Sequence, residues 1–314
     1  MKAKKKTILV TGGSGFIGHH LCKALANEGH IVRIIDKKES PKECITGTHY
    51  YQGDVRDHKF VSDIIEDVDI IFHLAAIVSI PYCQKNPIES YSNNLMSTVN
   101  LLEIIKEQKE KNKKTISFCF TSTSAIYGNN GTDGHALREN ETIDSFQSFY
   151  AAQKHASEQA IKLYQKNYNI PAIIFRLFNV FGPGQDPLSP YSGVITLFTK
   201  FAHERLPIPL YGGGEQTRDF VSVYDIAQAF ILLLKLPVKR WNAEVINLGT
   251  GSSITIRKLA DLISSTSNLP TQIVDAPFRE GDVIHSKADI GRAKAILDFE
   301  PKGNFIKILS ELLR

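Results

Sequence analysis

The chain has 314 residues, of which 42 % are hydrophobic and 22 % charged, a composition typical of one large or two intimately joined globular domains. A formal net charge of +4 is too small to indicate a nucleic-acid or membrane partner, and no apolar run approaches the roughly 18 residues that a membrane-spanning helix needs. The four cysteines and ten histidines form no metal-binding pattern and the start resembles no signal peptide, so we expect a cytoplasmic protein with free thiols and no metal.

In chain order, short apolar runs typical of β-strands alternate with helix-length segments as far as Arg176. The predicted strands are Thr7–Val10, Ile31–Asp36, a weaker one near His49–Tyr51, Asp69–His73, Thr115–Thr121 and Ala172–Arg176. The predicted helices are one that ends near Glu28, then Asp57–Glu66, Pro87–Lys109 and Tyr150–Tyr168, with a solvated turn at Lys109–Lys114. This alternation predicts an α/β fold, a Rossmann-type doubly wound parallel sheet covered on both faces.

After Arg176 the pattern becomes less regular, and Gly182-Pro183-Gly184 and Asp186-Pro187 mark loops. Two later stretches, Phe220–Leu234 and Val245–Leu248, still resemble strand-and-helix units. We therefore expect residues 1–176 together with about 220–248 to form the first domain. Residues about 177–219 together with 249–314 should form a smaller C-terminal α/β domain.

A glycine-rich run follows the first predicted strand. Gly12, Gly15 and Gly18 have the spacing of a dinucleotide-binding loop, with a strand before them and a helix after them. Gly12 would permit the tight turn, Gly15 the close approach of a pyrophosphate, and Gly18 the packing of the helix on the strand. The pyrophosphate would then lie at a helix N-terminus, which attracts anions.

Acidic residues end the second and third strands. Asp36 lies 18 residues beyond Gly18, where a carboxylate would bind a ribose 2′-hydroxyl and repel a 2′-phosphate. This favours NAD over NADP, although Lys37 and Lys38 follow at once and would soften the preference. The pair Asp54-Val55 fits either a contact with adenine or a plain turn at the end of a strand.

Tyr150 and Lys154 lie four residues apart, so they would share one face of a helix. A phenol titrates near 10, and a neighbouring ammonium favours the phenolate and lowers that value. Tyr150 would then exchange a hydroxyl proton while hydride moves to or from NAD. Such a pair is common on helix surfaces, but this helix follows a strand that ends in hydroxyl residues, and Thr123 or Ser124 would donate a hydrogen bond to the reacting oxygen.

These motifs together resemble the extended short-chain dehydrogenase/reductase family. The matching residues are the TGGxGxxG run at 11–18, Asp36, Gly53-Asp54-Val55, His73-Leu74-Ala75-Ala76, Asn94, the run Thr121–Gly128, and Tyr150 with Lys154. Within the family the chain resembles nucleotide-sugar 4-epimerases, from Thr7 to about Pro301.

The resemblance implies further site residues. Cofactor contacts are expected from Phe16, Ile17, Asp54, Val55, Leu74, Ala75, Ala76 and Asn94, with Asn94 supporting the active-site helix. Contacts with the nucleotide sugar are expected from Ser79, Thr123, Ser124, Asn179, Gly193, Val194, Leu210, Tyr211, Arg218, Arg279, Asp282 and Ser286. Arg218 and Arg279 would neutralise the diphosphate. Asn179 would contact the diphosphate as well, and Asp282 would hold the nucleotide ribose.

The resemblance also bears on the reaction. Sugar 4,6-dehydratases and nucleotide-sugar decarboxylases of this family carry an acidic residue beside the catalytic Ser or Thr, whereas Thr123 is followed by Ser124-Ala125. This favours 4-epimerisation through a 4-keto sugar, with NAD regenerated in each cycle. Ketoreduction with NAD(P) is the next alternative and dehydration remains behind it. A non-catalytic NAD-binding protein is disfavoured because Tyr150 and Lys154 are both present.

The expected substrate is a UDP-hexose. In related epimerases the residue four places after the Asp of the RxGD motif borders the sugar C2 substituent, and here that residue is Ser286. A small residue there would leave room for an acetamido group, which favours UDP-GlcNAc/UDP-GalNAc, alone or alongside UDP-Glc/UDP-Gal. Related enzymes often dimerise through the two long helices, so a homodimer is also expected.

Overall fold

The computed structural model describes residues 5–39, 45–141, 146–186, 193–267, 272–278 and 282–314. The strands are β1 (Thr7–Thr11), β2 (Ile31–Asp36), β3 (Thr48–Gln52), β4 (Ile70–His73), β5 (Ser117–Thr123), β6 (Ala172–Leu177), β7 (Asn179–Phe181), β8 (Ile208–Tyr211), β9 (Thr217–Arg218), β10 (Phe220–Ser222), β11 (Asn242–Leu248), β12 (Ile254–Thr255), β13 (Ile273–Ala276) and β14 (His285–Ser286). The α-helices are α1 (Phe16–Asn27), α2 (His58–Ile64), α3 (Ile80–Lys85), α4 (Pro87–Tyr91), α5 (Ser97–Asn112), α6 (Phe149–Tyr168), α7 (Val194–His203), α8 (Val223–Leu233), α9 (Ile256–Thr266), α10 (Gly291–Leu297) and α11 (Phe305–Leu312).

The residues cluster into two units. The first comprises Met1–Thr123, Ser148–Arg176 and Ala227–Ile246, and the second comprises Ser124–Gln147, Leu177–Ile226 and Asn247–Arg314. Residues 124–147, expected in the first domain, therefore group with the second. Their contacts explain this, because Leu137 bridges to Ala288 and the Tyr127 hydroxyl donates to Asn247 Oδ1 at 2.7 Å.

The first unit is built on a seven-stranded sheet in the order β11-β6-β5-β4-β1-β2-β3. Strand β1 pairs in parallel with β2 on one side and with β4 on the other, so the chain winds outward in two directions from β1. This confirms the predicted Rossmann-type sheet. The carboxyl ends of β1 and β4 lie side by side where the winding reverses, which is where open α/β sheets bind ligands.

The core of the first unit explains why the sequences of its strands are continuous apolar runs. All five residues of β1 are buried, and so are six of the seven of β5, because helices cover both faces of the sheet. Leu101 and Ile105 of α5 and Ile161 of α6 belong to the same buried cluster as the sheet residues. Burying one such side chain contributes about 1.5–3 kcal/mol.

The long helix predicted at Pro87–Lys109 is interrupted. Helix α4 is followed by a π-helical turn at Ser92–Met96, and α5 then continues to Asn112. The predicted solvated turn at Lys109–Lys114 is therefore wrong over most of its length, because its charged residues form the exposed last turn of α5. That helix ends at Lys113, which has a left-handed backbone with φ of 56°. Strand β5 extends two residues beyond its predicted end, as far as Thr123.

The second unit contains three small sheets, β10-β7, β12-β9-β14 and β13-β8. Its apolar core includes Phe181, Phe198, Leu210, Phe220 and Leu259. Of these strands the sequence indicated β10, which it assigned to the first domain. It did not indicate the two-residue strands β9, β12 and β14, which are too short to show an alternating pattern. None of the described helices is long and apolar enough to cross a membrane.

Candidate active site

The glycine loop after β1 is packed so closely that side chains are excluded. Gly12 has a φ of +73°, and a Cβ there would lie 2.7 Å from the backbone nitrogen of Ala75. A Cβ on Gly18 would lie 2.2 Å from the Gly12 carbonyl oxygen. Helix α1 begins after Gly15, which caps the helix without a side chain. The first N–H groups of the helix therefore lie behind a backbone surface that an anion can approach closely.

Asp36 lies beside this loop at the end of β2. Its Oδ2 accepts a hydrogen bond from the Ser14 N–H at 3.0 Å, and its Oδ1 accepts one from the Lys38 N–H at 3.0 Å. The Lys37 ammonium is held elsewhere, 3.2 Å from Asp54 Oδ2 and 2.6 Å from Asn93 Oδ1. Since each carboxylate oxygen has a second lone pair, Asp36 keeps acceptor capacity for ribose hydroxyls. Of the two cations that would soften a preference for NAD, Lys37 is thus paired with Asp54.

Asp54 forms the centre of a charged cluster at the end of β3. Burial alone would raise its pKa, but hydrogen bonds from Arg56 and Lys37 lower the pKa of this carboxyl to about 2. The neighbouring Val55 is buried, and its carbonyl accepts a hydrogen bond from the Asn100 side chain at 2.8 Å. The segment is thus held by hydrogen bonds at both residues, an arrangement compatible with either an adenine contact or a structural turn.

The run His73-Leu74-Ala75-Ala76 is hydrogen-bonded to Thr11, the residue directly before the glycine loop. The N–H groups of Leu74 and Ala75 donate to the backbone and side-chain oxygens of Thr11, at 3.1 and 3.3 Å. His73 joins Thr11 Oγ1 at 2.7 Å and Thr98 Oγ1 at 3.2 Å through its two ring nitrogens. Burial, helped by the charge of Lys154, lowers the pKa of His73 to about 3, so this ring is neutral near pH 7. His73 therefore supports the loop and is not a proton carrier.

The structure brings Thr123, Tyr150 and Lys154 together at the carboxyl end of β5. The Tyr150 phenol is hydrogen-bonded to the Thr123 side chain. The Lys154 ammonium donates to the Thr121 carbonyl at 2.8 Å and lies 4.5 Å from the centre of the Phe120 ring. The N–H of Ala151, in the first turn of α6, donates to the Ser148 hydroxyl at 3.2 Å. Two of the predicted catalytic residues, Tyr150 and Thr123, are thus hydrogen-bonded to each other, and the third, Lys154, is hydrogen-bonded to the backbone of the same strand end.

Burial controls the electrostatics of this group. It lowers the pKa of Lys154 to about 7, an effect that the negative charge of Glu158 partly offsets. Burial also raises the pKa of the Tyr150 phenol above its ordinary value, against a smaller lowering by the bond to Thr123. The lowering expected from Lys154 is not among the causes of this shift. A phenolate at neutral pH therefore needs a positive charge nearby, such as a nicotinium ring.

Asn94 supports α6 through a residue that the sequence did not indicate. Its Oδ1 accepts from the Ile77 N–H at 2.7 Å, and its Nδ2 donates to Gln153 Oε1 at 2.7 Å. Gln153 in turn donates to the Ser90 hydroxyl at 2.8 Å and is fully buried. The one feature of the sequence that could have indicated Gln153 is its position directly before Lys154. Asn94 lies in the π-helical turn, a local distortion frequent at functional sites.

Several residues expected to contact the nucleotide sugar lie together in the second unit. Arg218 of β9 pairs in register with Ser286 of β14. The Asn179 side chain donates to the backbone carbonyl of Asp219 at 3.2 Å. Burial lowers the pKa of Arg218, and the charge of Asp282 acts in the opposite direction, which places that carboxylate within electrostatic reach. Arg279 lies outside the described residues.

The other expected sugar-site residues occupy the ends of elements. Gly193 and Val194 begin α7, while Leu210 and Tyr211 end β8. Ser79 is buried in the first unit, where its hydroxyl accepts from the Tyr82 N–H at 2.9 Å and caps α3. Ser124 begins a short 3-10 turn, Ser124–Tyr127.

Asp219, which follows Arg218 directly, is a supporting residue of the second unit. Its two carboxylate oxygens accept from the N–H groups of Thr250, Gly251 and Ala288, at 2.8, 3.0 and 3.1 Å. It therefore fixes the segment that carries Ser286. Beside it lies a cavity of about 300 Å³, lined by Phe181, Arg218, Phe220, Ser222, Thr250, Ser252, Ile254, Pro301, Gly303 and Phe305.

Comparison with known proteins shows the family. Residues 8–249 match the NAD dependent epimerase/dehydratase family. A putative UDP-glucose 4-epimerase of Methanocaldococcus jannaschii is 32 % identical over 92 % of both chains. A UDP-N-acetyl-alpha-D-glucosaminuronate decarboxylase of Bacillus cytotoxicus is 30 % identical over 99 % of this chain and 97 % of that one. The solved structure of a UDP-N-acetylglucosamine 4-epimerase of Methanobrevibacter ruminantium, in complex with UDP-N-acetylmuramic acid, is similar with a TM-score of 0.88, 34 % identity and coverage of 99 % and 98 % of the two chains.

Proposed function

The chain belongs to the NAD-dependent epimerase/dehydratase family, and on that premise we propose that it is a 4-epimerase of a UDP-hexose. The observation that carries the proposal is that Tyr150 and Lys154 of α6 both bond to the end of β5, Tyr150 to the Thr123 side chain and Lys154 to the Thr121 carbonyl. These residues supply a proton acceptor, a hydrogen-bond donor and a cation, which a reversible alcohol oxidation requires.

The residues of the first unit fit NAD. The glycine loop presents a backbone surface that a Cβ would fill, at the N-terminus of α1. Asp36 lies next to this loop with acceptor capacity for two ribose hydroxyls. When bound, NAD supplies the acceptor and later the donor of the hydride. Leu74, Ala75 and Ala76 would line its binding surface.

The protein's own residues handle the proton. Tyr150 would accept the proton of the sugar C4 hydroxyl and later return it, while the Thr123 hydroxyl orients the reacting oxygen. Lys154 would hold the nicotinamide ribose and stabilise the phenolate through its charge. Between the two steps the 4-keto sugar would rotate about its diphosphate linkage, so that hydride returns to the opposite face.

The second unit would hold the nucleotide. Arg218 and Arg279 would neutralise the diphosphate, with Asn179 as a further donor, since a guanidinium group suits phosphate oxygens. Asp282 would bind the nucleotide ribose. Gly193, Val194, Leu210 and Tyr211 would line the pocket of the base. A firmly held nucleotide and a loosely held hexose are what rotation of the 4-keto sugar requires.

We propose UDP-GlcNAc and UDP-GalNAc as the preferred pair. Ser286 is buried and paired in register with Arg218, so a small side chain stands next to the expected diphosphate contact. A small residue there leaves space for an acetamido group, whereas a bulky one would exclude it. The similarity to a UDP-N-acetylglucosamine 4-epimerase supports the same choice.

Decarboxylation and dehydration are the alternatives that the relatives raise. Both need an additional acid–base group beside the catalytic hydroxyl, and Ser124 and Ala125 supply none. Ketoreduction remains the second candidate, because it uses the same three residues and differs only in the release of cofactor after each turnover.

One experiment separates these reactions. Purified protein is incubated with UDP-GlcNAc, UDP-Glc and UDP-glucuronic acid without added cofactor, and the products are separated by chromatography and identified by mass. We expect the 4-epimer of at least the N-acetylated substrate, at equal mass. Loss of carbon dioxide or water would reject epimerisation in favour of decarboxylation or dehydration. A 4-keto sugar formed only when oxidised NAD or NADP is added would favour the ketoreductase, running in reverse.

We further propose that the protein is a cytoplasmic homodimer of carbohydrate metabolism. Three buried cysteines, Cys22, Cys83 and Cys119, are free thiols, as is usual in a reducing compartment. Ile88 of α4 and Leu163 of α6 are exposed, at 88 % and 57 %, on the helix pair expected to form the dimer contact. Light scattering of the wild type and of Leu163→Glu would test the dimer, with a monomeric variant as the expected result.

A further inference from the structure

Helix α6 contacts the end of β5 through three residues spaced four apart. The Tyr150 phenol bonds to the Thr123 side chain, and the Lys154 ammonium bonds to the Thr121 carbonyl. Glu158 completes the series, since its Oε1 accepts from the Ser122 hydroxyl at 2.5 Å. Each residue of the strand end, 121 to 123, is therefore held by one residue of the same helix face, over about two helical turns.

Arg176 of β6 anchors this third contact. Its Nε donates to Glu158 Oε1 at 2.9 Å, and its terminal nitrogen donates to Oε2 at 2.7 Å. The Glu158 and Arg176 side chains are almost completely buried, at 0 % and 4 % exposure. A two-point guanidinium–carboxylate contact has little freedom to rotate, so it transmits the position of β6 to both α6 and β5.

We propose that Glu158, fixed by Arg176, is a positioning residue of the active site, which aligns the strand end that carries Thr123 and keeps a negative charge beside Lys154. This inference rests on the proposed function, because it concerns how the same reaction is supported. Glu158 makes no contact with substrate in this scheme, and it acts through Ser122 and Lys154.

The surroundings of Lys154 show why a negative charge matters there. The groups that face its ammonium are the Phe120 ring and Thr121 carbonyl of β5, His73 of β4, Cys83 of α3, and Glu158 of α6. His73 is neutral near pH 7, and burial raises the pKa of the Cys83 thiol. Among the described residues, Glu158 is thus the group that opposes the loss of the Lys154 proton at neutral pH, against the effect of burial.

Four variants test the inference. Glu158→Gln removes the charge but keeps an acceptor for Ser122. Glu158→Gln combined with Arg176→Gln removes both charges, so that no buried charge is left unpaired and the stability lost in the single variant should largely return. Ser122→Ala deletes only the bond to the strand end. Asp225→Asn is the control, a buried carboxylate that accepts from the N–H groups of Lys302 and Gly303 in the second unit.

Four quantities are measured: kcat and KM with the UDP-sugar, the thermal midpoint, and the titration midpoint of Lys154. The last uses protein with its resident cofactor and lysine labelled with ¹³C at Cε, with the Lys154 signal identified by its loss in Lys154→Arg. In Glu158→Gln we expect kcat to fall about 10-fold, the scale of a modest loss of alignment, with KM within about twofold. The Lys154 midpoint should fall by about one pH unit.

The other variants separate alignment from charge and from stability. The double variant should regain its thermal midpoint but not its kcat or its Lys154 midpoint. Ser122→Ala should lower kcat severalfold and leave the Lys154 midpoint unchanged, and Asp225→Asn should lose stability alone.

If kcat follows the thermal midpoint in all four variants, or if Lys154 titrates the same in Glu158→Gln as in the wild type, the inference is wrong. Should Glu158→Gln fail to fold, the double variant and Ser122→Ala decide the question. A wild type without epimerase activity would reject the proposed function, while the Lys154 titration would still test Glu158.

Discussion

The glycine loop offers a sharp test of the cofactor site through Gly18→Ala. A Cβ at this position would lie 2.2 Å from the Gly12 carbonyl oxygen and 2.7 Å from the Gly13 Cα. Both are backbone atoms, so neither can rotate away. To reach an ordinary van der Waals contact of 3.4 Å from the present 2.2 Å, the loop and α1 must separate by roughly 1.2 Å. We expect the variant to fold with a loss near the upper end of the roughly 1–3 kcal/mol typical of overpacking.

The same displacement moves the first N–H groups of α1 away from the place that a pyrophosphate would occupy. A hydrogen bond to a charged group contributes about 1.5–3 kcal/mol, so the loss of one corresponds to roughly 10- to 100-fold weaker NAD binding. The assay is to denature purified protein and to measure NAD in the supernatant by an enzymatic cycling reaction. The wild type should release close to one NAD per chain, and Gly18→Ala only a small fraction of that.

Gly29→Ala is the matched control. Gly29 has a φ of +83°, and a Cβ there would meet no atom within 4 Å. It should cost about 1 kcal/mol through backbone strain and leave the NAD content unchanged. Stoichiometric NAD in Gly18→Ala, or an equal loss of NAD in both variants, would refute the argument that this close packing builds the cofactor site.

Four further predictions follow from the site. Tyr150→Phe should retain NAD but lose at least about 100-fold in kcat, the scale of general acid–base catalysis, whereas Tyr164→Phe on the same helix should keep near-normal activity. Ser286→Tyr should abolish turnover of the N-acetylated pair and spare any turnover of the plain pair in the same epimer assay; equal loss on both would show that Ser286 does not border the sugar. Asp36→Asn should weaken NAD binding and narrow its advantage over NADP in a fluorescence titration, and an unchanged ratio would remove Asp36 from cofactor selection. Lys154→Met should be inactive yet stabilise the NAD-free protein by about 2 kcal/mol at pH 6–7. The variant removes the roughly 4–5 kcal/mol that burial of the charged lysine costs, since burial lowers its pKa to about 7. It also loses the bond to Thr121, which contributes about 1.5–3 kcal/mol. The folded wild type binds fewer protons than the unfolded chain between about pH 7 and pH 10, so its stability rises over that range, and the advantage of Lys154→Met in urea denaturation should shrink.

The first unit could be predicted from the sequence because its elements carry local signals. The strands β1, β2 and β4 are short apolar runs between turn residues, and a parallel sheet covered on both faces leaves that pattern in any chain. The same holds for the glycine spacing, for Asp36 and for the Tyr150–Lys154 pair. Each could be recognised because it depends on separations along one strand, loop or helix. Even the resemblance to a family rested on such local runs.

Other features depended on contacts between distant segments. The sequence placed residues 124–147 in the first domain, but long-range bonds such as that between Tyr127 and Asn247 group them with the second unit. It predicted a continuous helix where a π-helical turn places Asn94 against Ile77 and Gln153. Such a turn has no local signature, because it is stabilised by partners elsewhere in the chain.

The same distinction holds for the chemistry of the site. The residue types and their spacing were sufficient to indicate a phenol, an ammonium and a hydroxyl as the reacting groups. The sequence could not show whether burial or a neighbouring charge controls their pKa values, and at Tyr150 burial is the largest cause of the raised pKa. The pairing of Glu158 with Arg176, 18 residues away, likewise depends on the tertiary structure. Desolvation and charge pairing are set by which segments pack together, and that is decided only when the whole chain has folded.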